Sequence, residues 1–237
     1  MILAAGRGRR LQPLTDTCPK PLIPIAGKPL LEYVIRLLLR HGFDELIINL
    51  HHLPDEIETF CGNGERWGAR ISYSRENELL GTAGAIGKLR SRFREPFLVY
   101  YGDNLCNVDL GKLWSDHAGS HSLATIGLLP MDDPTTRGIV KLDTQGTITK
   151  LVEKPTSEEV FDDYLVNAGI YAIEPELVDD IPDGQCFDFG TDLFPAMFKD
   201  GRPLHGHRLD GQLLSTDTPE RYQHALEQVR AGAFDLP

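Results

Sequence analysis

The sequence predicts an α/β fold, a mostly parallel sheet covered by helices, and three observations carry that prediction. Through the first half, short apolar runs alternate with stretches of helical period. Residues 97–101 are an almost uniformly apolar run of strand length, as expected of a strand buried on both faces. No internal repeat, low-complexity tract or Gly/Ser linker interrupts the 237 residues, so one continuous domain is expected.

Element by element, residues 1–4 read as a strand remnant. Residues 30–41 place Leu31, Val34, Ile35, Leu38 and Leu39 on one helical stripe, and residues 45–50 form the next strand. A short helix follows at 57–60, a strand at 70–73, and a helix over 83–89 opened by the Gly81-Thr82 turn. The second half is richer in strands, at 124–129, 138–142, 147–152 and 167–173, and a helix over 219–230 closes the domain. No hexapeptide repeat follows that helix, so no appended C-terminal β-helix is expected. The division expected is a first half of about residues 1–105 and a second of about 106–237.

Composition narrows the function. The chain carries 24 Lys+Arg against 35 Asp+Glu, a formal charge of −11, with 41% hydrophobic and 25% charged residues. Those shares are ordinary for a soluble globular protein, and so acidic a chain repels polyanions, so no nucleic-acid partner is expected. With no long apolar run and no basic leader, neither membrane span nor signal peptide is expected, and the location expected is cytoplasmic. Cys18, Cys61, Cys106 and Cys186 lack metal-ligand spacing and read as free thiols. The one local excess of positive charge is Arg7, Arg9, Arg10 and Lys20, too short for a polymer but suited to a single polyphosphate.

That cluster lies on a glycine-rich loop. The strand runs into Ala5-Gly6-Arg7-Gly8-Arg9-Arg10-Leu11, where two glycines one residue apart let backbone N–H groups turn inward around phosphate. No Lys-[Ser/Thr] follows, so it is not a P-loop, and Leu11 occupies the place of the third glycine of a dinucleotide fingerprint. Arg10 can fork two donors onto phosphate oxygens, while Lys20, between Pro19 and Pro21, presents a point charge on a stiffened backbone. Without acidic partners these two cations would repel each other unless an anion sat between them.

The stretch from Leu3 through Leu14-Thr15 to Pro19-Lys20-Pro21-Leu22 resembles the signature of the sugar-1-phosphate nucleotidyltransferases. The resemblance continues through Gly81-Thr82-Ala83-Gly84-Ala85, Tyr101-Gly102-Asp103-Asn104, Val152-Glu153-Lys154-Pro155 and Asn167-Ala168-Gly169-Ile170-Tyr171, in order and at approximate spacing. Within the family the pattern is most similar to the short bacterial mannose-1-phosphate guanylyltransferase-like enzymes. It implies a Rossmann-like mixed sheet with a strand-rich sugar-binding half, and attack by a sugar-1-phosphate oxygen on the α-phosphorus of an NTP. GTP is the favoured donor and a mannose- or heptose-like 1-phosphate the acceptor, with uridylyl or thymidylyl transfer as the other options. The partners implied are therefore the NTP and the sugar 1-phosphate, with a homodimer as one option for the oligomeric state.

Residue by residue, the resemblance makes Arg10 and Lys20 the catalytic cations. Leu3, Ala4, Ala5, Gly6, Gly8, Arg9, Glu78, Gly81, Thr82, Ala83 and Gly102 would bind the nucleotide. On the sugar side, Glu153 and Asn167 would bind hydroxyls and Lys154 the phosphate, with Gly138 and Gly169 leaving room for the ring. Asp188, between Phe187 and Phe189, reads as a further sugar contact. Asp103, at the carboxyl end of a buried strand, suits Mg²⁺, and the family makes the matching Asp a metal ligand.

One departure bears on chemistry. The family carries W-x-D-x-G-T before its last helix, the Asp supplying a second carboxylate to the metal. Here Ser215 stands at the carboxylate position and Asp217 at the glycine. If the strand persists, Asp217 lies on the same face about 6.6 Å further along. Three readings follow: Asp217 or Asp210 takes over the metal, Asp103 holds it with phosphates and water, or activity is weakened or lost and the chain is a nucleotide- or NDP-sugar-binding regulator. The second is favoured, because Mg²⁺ commonly binds through one or two carboxylates. His51-His52 and His205-Gly206-His207 lack zinc-site spacing and read as structural.

Overall fold

The computed structural model describes residues 1–131 and 134–237. Contacts group the chain into two compact units whose segments alternate along the sequence. The first comprises Met1–Leu79, Tyr100–Asp109 and Gly211–Pro237, the second Leu80–Val99 and Leu110–Asp210. No helix among the described residues is long and apolar enough to cross a membrane.

In the first unit, four strands run parallel. Ile2–Leu3 lies between Glu45–Leu50 on one side and Tyr100-Tyr101 on the other, and Arg70–Arg75 adds to the far edge of Glu45–Leu50. Five consecutive residues of Glu45–Leu50 are buried, the signature of an inner parallel strand with both faces covered. The helix Leu30–Arg40 buries Leu30, Leu31, Val34, Ile35, Leu37 and Leu38, while Glu32 and Arg36 pair at 2.7 Å on the side away from that stripe. Gly42, at φ +84°, ends it, with its N–H and that of Phe43 donating to the carbonyls of Leu39 and Leu38. Because the strands are parallel, their carboxyl ends share one edge, where α/β sheets bind ligands. The loops that leave it are residues 4–12, His51-His52, the segment from Glu76, and Gly102-Asp103.

Two remote segments join that edge. Leu213–Ser215 pairs antiparallel with Asn104–Cys106, setting Ser215 opposite Asn104, and the helix Pro219–Arg230 follows, its Thr218 cap accepting from the Arg221 N–H. Tyr222, Leu226 and Val229 of that helix pack on a cluster holding Leu11, Ile23, Ile25, Leu30 and Tyr33. Leu11 is therefore a core anchor for the glycine-rich loop.

The second unit is a mixed sheet in the order Ile148–Val152, Ile139–Leu142, Leu165–Ile173, Ala124–Leu129, Leu204–Arg208. All its pairings are antiparallel except the last. Register slips between Asn167 and Tyr171, where Gly169 takes φ +72°. Tyr171, Phe189 and Phe194 pack as a buried aromatic trio, with centroids 5.0–5.3 Å apart. The strands at 45–50, 97–101 and 124–129 and the helix at 219–230 match the sequence expectation, as does the parallel layout of the first half. The helix Leu110–Ser120 was not foreseen, nor was the strand Asn104–Cys106.

Candidate active site

In the first unit the loop leaving Ile2–Leu3 is fixed from behind. Asn49 Oδ1 accepts the Ala4 N–H at 2.7 Å, and Asn49 Nδ2 donates to the buried Glu76 carboxylate at 2.7 Å. Gly8 sits at φ +61°, where a Cβ would lie 2.9 Å from Thr15 Cγ2 and 3.2 Å from Lys20 Cβ, so the loop closes tightly there. A Cβ on Gly6 would meet nothing within 4 Å, leaving that part of the loop open to a ligand. Gly102 answers to packing: its N–H donates to Leu3 O at 2.9 Å, and a Cβ would stand 3.0 Å from the same oxygen.

The two expected catalytic cations do have acidic partners, contrary to the sequence reading. Lys20 Nζ lies 2.7 Å from Asp103 Oδ2, with side-chain exposures of 8% and 40%. A buried ammonium needs such a partner, since leaving it alone in a low-dielectric site is costly. Arg10, 65% exposed, reaches Asp217 Oδ2 at 2.8 Å. Asp217 Oδ1 also accepts from Ser215 Oγ at 2.7 Å and from Arg221 at 3.1 Å. Burial alone would raise the Asp217 pKa, but the hydrogen bonds from Ser215 and Arg221 and the charges of Arg10 and Arg221 outweigh it, holding the pKa at about 2. The strand ends at Ser215, so Asp217 does not continue its face; the carboxylate turns back onto the Ser215 hydroxyl.

In the second unit the expected sugar-side residues gather around Glu153. Its carboxyl lies against two glycines: a Cβ on Gly138 would come within 2.6 Å of Oε2, and one on Gly190 within 2.9 Å. Burial pushes the Glu153 carboxyl above its usual range; Lys154 and Arg137 pull it down while Asp188 pushes it further up. Asn167 takes the Gly138 carbonyl through its N–H at 2.8 Å and accepts the Gly169 N–H on Oδ1 at 2.9 Å. Lys154 is exposed, at φ +46°.

Gly81, Thr82 and Asp188 have a structural duty here. A Cβ on Gly81, at φ +74°, would sit 2.6 Å from Phe187 O, and the N–H groups of Ala83 and Gly84 donate to that carbonyl. Asp188 Oδ1 accepts both the N–H and the hydroxyl of Thr82, at 2.9 and 2.8 Å. The small residues thus admit a neighbouring chain segment. Glu78 lies exposed between the strand Arg70–Arg75 and the helix Gly81–Gly87, and Arg9 is exposed on the loop.

A family model described as nucleotidyl transferase matches residues 1–213. The chain belongs to that family. It is 37% identical over 97% of its length to the UTP–glucose-1-phosphate uridylyltransferase of Synechocystis, covering 62% of that protein. To the mannose-1-phosphate guanylyltransferase of Mycobacterium tuberculosis it is 32% identical over its full length, covering 66%. The chain thus spans less than two thirds of these relatives. Among solved structures, HddC from Yersinia pseudotuberculosis complexed with GMP-PN is 26% identical with TM-score 0.79, covering 96% of this chain and 97% of that one. UDP-glucose pyrophosphorylase complexed with UDP-glucose superposes with TM-score 0.84 at 21% identity, covering 98% and 97%, a likeness of fold.

The family implies a divalent metal, and one carboxylate in this nucleotidyl transferase family member fits it. Asp103 is a hard oxygen donor at a strand end, two-fifths exposed, and Thr216 Oγ1 holds its backbone carbonyl at 3.0 Å. Lys20 takes one of several lone-pair directions on that carboxylate. Asp217 does not fit, because guanidinium groups engage both of its oxygens.

Sequence reasoning missed the supports of the loop. Arg7 donates to His51 Nε2 at 3.2 Å, which puts the ring proton on Nδ1, 3.0 Å from Glu76 O. His52 Nε2 donates to Thr15 O at 2.9 Å. The signal was the position of both histidines at the carboxyl end of an inner strand, the edge that also carries the loop. His205 and His207 instead share Asp116 Oδ2, at 3.0 and 2.7 Å, in the second unit.

Proposed function

We propose that this protein transfers a nucleotidyl group from an NTP to a sugar 1-phosphate, releasing pyrophosphate. The observation that carries the reading is the set of two carboxylate-paired cations, Lys20 and Arg10, beside an open glycine loop at the carboxyl edge of parallel strands. Membership of the nucleotidyl transferase family supports it. A phosphate oxygen of the acceptor forms the new bond to the α-phosphorus, and the bond from that phosphorus to the bridging oxygen of the β-phosphate breaks. No proton need move, so the protein's task is to bring two anions together and to stabilise charge on the α-phosphoryl oxygens.

Lys20, rigidly held, places its charge where charge develops, and Arg10 offers a planar fork to non-bridging oxygens. Open backbone around Gly6 receives the triphosphate. Asp103 would hold a divalent cation, Mg²⁺ in this reading, which would neutralise phosphate oxygens. In the second unit, Glu153 and Asn167 would bind sugar hydroxyls and Lys154 the acceptor phosphate. The relative named for UTP and glucose favours uridylyl transfer, whereas the guanylyltransferase relatives favour GTP and mannose 1-phosphate.

Pyrophosphate release measured across five NTPs and several sugar 1-phosphates tests this. Turnover confined to one pair is expected, and it names the substrates. Nucleotide binding with no pyrophosphate from any pair would overturn the transferase reading in favour of a binding protein.

A further inference from the structure

Asp217 occupies the place where the family pattern has glycine, and donors from three segments of the first unit converge on it. Arg10 comes from the glycine-rich loop, Ser215 from the end of a short strand, and Arg221 from the first turn of the helix Pro219–Arg230. The carboxylate is nearly buried, 12% exposed, while the Arg10 side chain is 65% exposed. One end of this network is thus fixed in the fold and the other reaches toward solvent.

We propose that Asp217 is a positioning residue for Arg10: it holds the guanidinium over the glycine-rich loop before the triphosphate arrives, and it is not a metal ligand. The proposal rests on the nucleotidyl-transfer reading above. Arg10 belongs to a single turn, Arg9–Leu11, with Leu11 buried beneath it, so its backbone is anchored but its long side chain is not. An exposed arginine loses much rotamer freedom when it must take one geometry in the transition state, and a fixed carboxylate removes that cost ahead of the chemical step. Asp217 is itself locked by the Ser215 hydroxyl and by Arg221, whose own backbone N–H is tied to the Thr218 cap.

Charge supports the same assignment. Two guanidinium groups around one carboxylate leave a net positive charge, so the cluster still attracts phosphate. Ser215 then acquires a reason: at the position where the family pattern has a carboxylate, its hydroxyl donates to the displaced one, whereas a second carboxylate would repel it.

The assignment predicts effects of opposite sign. Asp217→Asn keeps the side-chain shape but removes a negative charge beside the loop. Binding of GTP and UTP in EDTA, followed by calorimetry, should tighten by roughly threefold to tenfold, because a like charge facing the triphosphate is gone. Turnover with the active pair should fall by about tenfold to a hundredfold, because Arg10 is no longer held in place. The Mg²⁺ concentration for half-maximal rate should not move. In an Arg10→Ala background Asp217→Asn should cost little further, since the two act as a unit. Asp217→Glu should recover part of the turnover.

A raised Mg²⁺ requirement in Asp217→Asn would make Asp217 a metal ligand and overturn the proposal. So would a lowered Tm with kcat and KM unchanged, or additive losses with Arg10→Ala. Should the native protein turn over no substrate pair, the transferase reading fails. Binding in EDTA then decides: weaker or unchanged affinity in Asp217→Asn would sink the positioning role as well.

Discussion

The two units hold their polar site residues by different means. In the first, charges are held by opposite charges: Lys20 by Asp103 and Arg10 by Asp217, at 2.7 and 2.8 Å. In the second, a carboxyl is held by shape, with Glu153 against the missing side chains of Gly138 and Gly190. Each ion pair uses only part of the cation's donors, so a phosphate can join Lys20 or Arg10 without rebuilding the backbone. A carboxyl fixed by glycines cannot move far, which suits the reading of a fixed stereochemical pattern of hydroxyls. Charge lost from the first unit should therefore act on turnover, and bulk added to the second on acceptor recognition.

Lys20→Ala should give the largest effect. Removing a rigid cation aimed at developing charge lowers kcat by about 10²–10³ in comparable sites. NTP affinity should change far less, because Arg10 and the loop backbone remain. Steady-state pyrophosphate release, with Tm measured alongside because Lys20 is buried, checks this; unchanged kcat would remove Lys20 from the mechanism.

Two glycine substitutions in the second unit sharpen the contrast next. In Gly81→Ala the new Cβ would meet a backbone oxygen at 2.6 Å with φ at +74°, and neither can give way cheaply. A loss of about 2–4 kcal/mol is expected, or roughly 4–16 °C in Tm at about 2–4 °C per kcal/mol for a chain of this size. In Gly190→Ala the nearest atom to the new Cβ would be the end of the Glu153 side chain, at 2.9 Å. A side-chain end yields at less cost than a backbone carbonyl, so Tm should fall by less than half as much while the displaced carboxyl raises KM for the sugar 1-phosphate several-fold. If Gly190→Ala leaves that KM alone, the position of the Glu153 carboxyl is not what recognises the acceptor.

How much of this was legible in the sequence follows from the range of each interaction. The strand Glu45–Leu50 and the helix Leu30–Arg40 were, because their apolar periodicity is local. The open loop at Gly6 was too, though two glycines after a strand are weak evidence alone and the reading rests on the Arg10 and Pro19-Lys20-Pro21 continuation. The Lys20–Asp103 pair was not, since 83 residues separate its members and only the parallel register of Ile2–Leu3 with Tyr100-Tyr101 joins them. Asn104–Cys106 and Leu213–Ser215 are each three residues long and become strands only by pairing with each other, so neither carries a pattern of its own. Thr82 and Asp188 were read as ligand contacts because sequence gives residue type without occupancy. Their hydrogen-bonding groups already meet each other across 106 residues.

The smallest expected effect concerns acid stability in the second unit, away from Glu153. His117 is buried, donating or accepting at Thr125 Oγ1 through Nδ1 at 2.8 Å, with Glu174 3.3 Å from Nε2. Burial first, then the charge of His205, holds its pKa below the usual value near 6.5. The folded chain therefore binds this proton less readily than the unfolded chain, so stability is full above about pH 6.5 and declines as pH falls below it. Glu174, raised by burial and by Glu176, acts with the opposite sign, losing stability as pH rises from the ordinary carboxylate range through its raised value. Asp116 adds a loss only at lower pH: burial raises it, but hydrogen bonds from His207 and His205 outweigh that, so its stabilisation persists until pH falls through a value below the usual 3.8. The readout is thus the difference between proteins. His117→Gln should flatten the fall in Tm between pH 7 and 5.5 by about 1–3 °C. An unchanged slope would place the acid sensitivity of this unit on groups other than His117.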